Sequence, residues 1–99
     1  MNSKLDTAIV RALGYKTKNI DCPHYSTDGN AMLLLDKEMR ARRWLVCITE
    51  YEEFVEVEYA TCPPMKKRVV ITGLHTEPFA RALAAYKALT GRAWNNGNN

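Results

Sequence analysis

Cysteine is scarce in this chain, as are the residue patterns that mark a dedicated chemistry. The three cysteines, Cys22, Cys47 and Cys62, leave one unpaired in any scheme within one chain, and no CxxC pair occurs. No secretory leader is legible either, so reduced thiols and a cytosolic setting are expected. A zinc site would need Cys22 and His24 completed by Cys62 or His75, which is unlike the usual paired knuckle, and no metal or other cofactor is expected. No apolar run approaches the roughly 18 residues of a membrane span. No GxSxG elbow presents a nucleophile, and no segment repeats. A strong excess of one charge is missing too. The chain carries 14 Lys+Arg against 11 Asp+Glu, a net +3. That falls short of the concentrated basic face of a dedicated nucleic-acid binder.

What is present is a globular composition: 99 residues, 46% hydrophobic and 25% charged, enough for one domain with one core. The most strongly patterned stretch is TEPFARALAAYKALTG, residues 76–91. Thr76 or Glu77 can cap the first free amides, and Pro78 stands where a missing N–H costs nothing. Phe79, Ala82, Leu83, Tyr86 and Leu89 recur at helical spacing, the alanines favour helix and close approach, and Gly91 supplies a stop. Such a helix needs an apolar partner, which only the middle of the chain offers.

Residues 3–13 read as a first helix, with Ser3 and Asp6 as a capping box and Gly14 as its end. Residues 15–30 show no period and read as a long loop. A second helix runs from Thr27 or Asp28 to about Arg42, with Met32, Leu35 and Met39 inward, Leu33 and Leu34 beside them, and Arg40, Arg42 and Arg43 suited to its negative end. Three strands follow, at 44–51, 54–62 and 67–74. The second alternates plainly, with Val55, Val57 and Tyr59 on one face and Glu56 and Glu58 on the other. Short connections at Glu52-Glu53 and Pro63-Pro64 favour an antiparallel meander. The expectation is a single α+β domain over residues 1–91, in the order α-α-β-β-β-α. Helices can cover one sheet face or both. An Asn-rich tail, 92–99, is expected to fray unless Trp94 packs back.

Candidate sites are few. HYSTD, residues 24–28, brings His24, Ser26 and Asp28 together, but residues adjacent on one loop rarely converge as a triad. A hydrolase built on them is the weaker reading, and Ser26, Thr27 and Asp28 serve more simply as caps. A helix start bearing hydroxyls is also an anion site, to which Lys16, Lys18 and His24 add charge and Tyr25 a stacking ring. His75 and Thr76 precede a second such start. Glu50, Glu52, Glu53, Glu56 and Glu58 form the sharpest charge feature, a solvated strand face or a docking surface for a basic partner. The basic run at 66–68 reads as an edge charge that blocks aggregation. An α-β-β-β-α module that binds double-stranded RNA would need lysines at the start of its last helix; here stand Thr76, Glu77, Pro78 and Phe79.

The helix end ALGY (12–15), the YSTD run (25–28) and the closing PFARALAAYKALTG, around a meander that begins at Trp44, together resemble the phage ABA sandwich family. The resemblance spans about residues 5–91. It implies an α-β-α sandwich, a bacteriophage or prophage origin and action in the host cytoplasm, and it brings no catalytic residues. The expected function is therefore that of a small non-catalytic accessory protein. Its partner would be a host protein or a small anionic ligand such as a nucleotide signal, as in counter-defence. A homodimer is compatible with the sequence and not required by it.

Overall fold

The computed structural model describes residues 3–16, 21–61, 68–73 and 75–95. The elements are α1 (Ser3–Ala12), α2 (Gly29–Ala41), β1 (Trp44–Glu50), β2 (Val55–Thr61), β3 (Arg68–Gly73) and α3 (Glu77–Thr90). This is an α+β fold in the expected order. Lys18, Cys62, the double proline and the lysines of the 66–68 run lie outside the described residues.

The helix ends follow local chemistry. Asp28 caps α2, its carboxylate accepting the Asn30 amide at 3.1 Å. Gly14 and Gly91 take positive φ after α1 and α3, a conformation in which a Cβ would be strained. Arg43 holds φ 68° without that freedom at the turn into β1. Thr76 caps α3 by position alone, with no side-chain bond to the helix amides.

The strands form an antiparallel meander in the order β1-β2-β3. Ile48, Val57 and Ile71 align across it in one row, as do Val46, Tyr59 and Val69 in the next. This face meets the helices: Val57 and Tyr59 are fully buried. The opposite face carries Leu45, Cys47 and Thr49 of β1, all exposed, with Glu56 and Glu58 of β2 and Thr72 of β3. The layering is thus helix on sheet, on one face only. A sandwich would need a helix on the other face as well, and none of the described helices lies there.

The reason is α3. It touches α1, α2, β2 and β3, and none of its residues is exposed. The residues it buries completely are alanines, Ala80, Ala82, Ala84 and Ala85, rather than the larger Phe79, Leu83, Tyr86 and Leu89 of the expected stripe. Small side chains let neighbours close in from several directions, so one helix serves two layers. α1 lays Leu5 and Ile9 into this core and packs against α3; α2 adds Leu35 and Met39. Each such side chain, fully buried, stabilises by about 1.5–3 kcal/mol. Trp94 packs back edge-on against Tyr86, ring centres 5.2 Å apart.

Two buried polar contacts fix how the helices sit. Tyr59 on β2 donates to Asp36 Oδ1 at 2.8 Å, and Arg81 on α3 reaches Asp36 Oδ2 at 2.6 Å. Burial, and then the neighbouring Asp36 carboxylate, hold the Tyr59 hydroxyl well above its ordinary pKa. The Ser3 side chain of the expected capping box lies outside the described residues, and Asp6 has a second role. It is buried and accepts the Ser26 amide at 3.0 Å, tying the long loop to α1.

Candidate functional site

The long loop returns across α1 and leaves a groove against α2. Val10 of α1, Tyr15 and Lys16 beyond its end, Pro23 and Tyr25 of the loop, and Leu34, Lys37, Glu38 and Ala41 of α2 line a cavity of about 710 Å³. That volume lies within the usual range for ligand sites. The walls are largely apolar. Lys16 and Lys37 are exposed, and neither has a carboxylate within ion-pair distance among the described residues.

The remaining charged group of the groove, Glu38, is already neutralised. Arg42 meets it at 2.8 Å and the Tyr15 hydroxyl donates to it at 2.9 Å. Burial pushes its carboxyl up, but the bonds from Arg42 and Tyr15 outweigh this and hold it below the usual range. The hydrogen bond to Glu38 in turn raises Tyr15. Arg42 also donates to the Leu13 carbonyl at 2.7 Å, closing the end of α1 and pinning the two helices together beside the groove. Burial, then the nearby Glu38, pushes Tyr25 up to about 12, so its hydroxyl stays neutral at physiological pH. The groove therefore offers apolar walls, two neutral phenols and two exposed ammonium groups beyond ion-pair distance of any carboxylate among the described residues.

The residues expected to form one anion site do not gather there. Lys16 and Tyr25 line the groove, while Ser26 lies behind it, 1% exposed. His24 and Thr27 sit on an exposed turn where the Thr27 and Asp28 amides both donate to the His24 carbonyl. The start of α2 is occupied by the Asp28 carboxylate itself, which displaces any anion. Ser26 Oγ has no hydrogen-bond partner, and no hydrogen bond joins the side chains of His24, Ser26 and Asp28 among the described residues.

His75 and Thr76 lie elsewhere. With Glu50, Tyr51, Glu53, Phe54, Val55 and Glu77 they line a second cavity of about 490 Å³ at the β1–β2 turn. Tyr51 and Phe54 stack there with ring centres 4.4 Å apart. The His75 ring packs edge-on to Phe79 and over Gly73, where a Cβ would stand 2.5 Å from Nε2. The five glutamates consequently form no single surface. Glu50 and Glu53 border this cavity and Glu52 is exposed in the turn, whereas Glu56 and Glu58 lie on the open sheet face. Glu58 is paired with Arg68 from β3.

Sequence reasoning missed Tyr15, Leu34, Lys37 and Glu38. One signal was present. MLLL, residues 32–35, holds more apolar surface than one helix face can bury, and Leu33 and Leu34 are 57% and 55% exposed. Among the described residues no group of His, Cys, Asp and Glu is placed to hold a metal ion, Cys22 and Cys47 are free, and no helix is long and apolar enough to cross a membrane. No protein-family model matches this chain, and neither a curated protein nor a solved structure matches it.

Proposed function

We propose that the protein works by binding, without catalysis, and that the α1–α2 groove is where it binds. The observation that carries this is the pairing of apolar walls with two exposed lysines in a cavity of about 710 Å³. Its partner has an apolar body and negative charge: a host protein segment or a small anionic ligand such as a nucleotide signal. The seclusion of Ser26 supports a non-catalytic reading, since a nucleophile must reach its substrate. The resemblance to the phage ABA sandwich family supports a phage or prophage accessory role in the bacterial cytoplasm, with counter-defence as one such role.

A second reading has its own observation. Glu50 and Glu53 beside the stacked Tyr51 and Phe54 favour a cationic group on a basic protein partner. The same carboxylates, with Glu77, weigh against double-stranded RNA at the start of α3, where phosphates would meet negative charge.

The test is thermal denaturation of the purified chain against nucleotides, cyclic dinucleotides, short RNA, acidic peptides and basic peptides, repeated with Lys16→Glu/Lys37→Glu. A partner present at a hundred times its Kd stabilises by about 2.7 kcal/mol. A raised midpoint that vanishes in the double variant supports the groove. A midpoint raised equally in the double variant, or raised only by basic partners, overturns it.

A further inference from the structure

The groove runs along one face of α2. Leu34 and Ala41 mark its length along α2, seven residues apart, about 10 Å or two helical turns. Leu33 and Leu34 both neighbour Lys37 at helical spacing, so an exposed leucine lip flanks its ammonium group. A phosphate site gathers several donors about one point, commonly backbone amides. Here Lys16 and Lys37 come from separate elements and the start of α2 is filled by Asp28.

From this arrangement we infer that the occupant of the groove is an acidic amphipathic helix of a protein partner, about two turns long. Its apolar residues lie on Tyr15, Pro23 and Leu34, the accessible apolar side chains of the lining, and its carboxylates meet Lys16 and Lys37. This rests on the binding reading of the groove and names its ligand class. An apolar stripe laid in a groove supplies affinity, and complementary charge supplies register and choice of partner. The second cavity, bordered by Glu50 and Glu53, repels the same helix, so the two cavities select opposite charges.

The experiment is a display selection of random 14-residue peptides on the whole chain, with the selected peptides titrated against wild type, Leu34→Glu and Lys16→Glu/Lys37→Glu. All three substituted residues are exposed, and unchanged thermal midpoints confirm that both variants fold. The expected result is enrichment of Asp and Glu among apolar residues spaced three and four apart. Binding should weaken about tenfold or more in each variant. Peptides that bind all three proteins equally sit elsewhere and sink both this proposal and the groove. Selected peptides that lack acidic residues yet depend on Leu34 sink the acidic helix and leave the groove standing. So does a failure to enrich while a nucleotide protects the fold in a Lys37-dependent way. Failure of both peptides and nucleotides overturns both readings.

Discussion

Asp36 on α2 accepts a hydrogen bond from the Tyr59 hydroxyl on β2 at 2.8 Å, with both residues almost wholly out of water. Its second oxygen takes Arg81 of α3, which also meets Glu77 at 2.8 Å. One carboxylate thus joins a strand and two helices. Removing it leaves a guanidinium held mostly out of solvent with one partner instead of two. Asp36→Ala should therefore cost about 3–5 kcal/mol, a large part of a small domain's stability. Tyr59→Phe leaves the ion pair and should cost about 1 kcal/mol. Urea denaturation of the two variants checks the order. Equal losses would show that the hydroxyl, not the charge, holds the junction.

Asp6 gives the fold a pH dependence of defined sign. Burial raises its pKa above the ordinary 3.8, with the Ser26 contact and His24 offsetting part of this. The folded chain then holds the proton more tightly than the unfolded chain. Stability from this group is greatest in acid and is lost as pH rises from about 3.8 through the folded value. Asp6→Asn keeps an acceptor for the Ser26 amide and should abolish that loss, matching or exceeding wild type at pH 7. Asp6→Ala orphans the amide and should cost about 1–3 kcal/mol. Denaturation midpoints between pH 3.5 and 7 separate the three proteins.

Arg42 is a fork that ties the end of α1 to α2 beside the groove. Its guanidinium serves the Glu38 side chain and the Leu13 carbonyl together, a reach that a lysine's single ammonium does not reproduce. Arg42→Ala should lower stability by about 2 kcal/mol and Arg42→Lys should recover less than half of that. The Tyr15 hydroxyl, which shares Glu38, reports the change directly. Its ring resonances should shift in both variants, and resonances unchanged in Arg42→Lys would contradict the fork.

The alanines of α3 should resist enlargement more than the apolar residues around them. Ala84→Leu or Ala85→Leu forces apart neighbours that meet at van der Waals distance and should cost about 1–3 kcal/mol. Leu83→Met, a volume-conserving swap at a half-buried position, should cost less. Calorimetric midpoints check this, and an Ala84→Leu protein as stable as wild type would mean that the helix is not enclosed.

Much of the fold was legible because its periodicities are clean. Val55, Val57 and Tyr59 alternate with Glu56 and Glu58, and Phe79 to Leu89 keep a helical period, so element type and order followed. The depth of burial did not follow. Large apolar residues carry the periodic signal, yet the closest approach in α3 belongs to alanines, which read only as helix formers. Asp6 and Asp36 were also opaque. A carboxylate is written the same way whether it faces water or a partner twenty residues away. The groove lay between these extremes. Lys16 and Tyr25 were read from loop composition, but Lys37 and Leu34 belong to a helix face whose exposure depends on how α1 and the loop are placed, and pattern along one element cannot set that.

The enclosure of α3 has a consequence for how the chain comes into being. Strands and helices made earlier on the ribosome can close only in part, α2 against β1 and β2, because the segment that α1, α2, β2 and β3 all touch is made after them. Domains often begin to fold from their N-terminal side during synthesis. Here the core stays open on the α3 side until residues 77–90 emerge. Any message cut short before that helix yields a product whose core lacks the one helix that four other elements share.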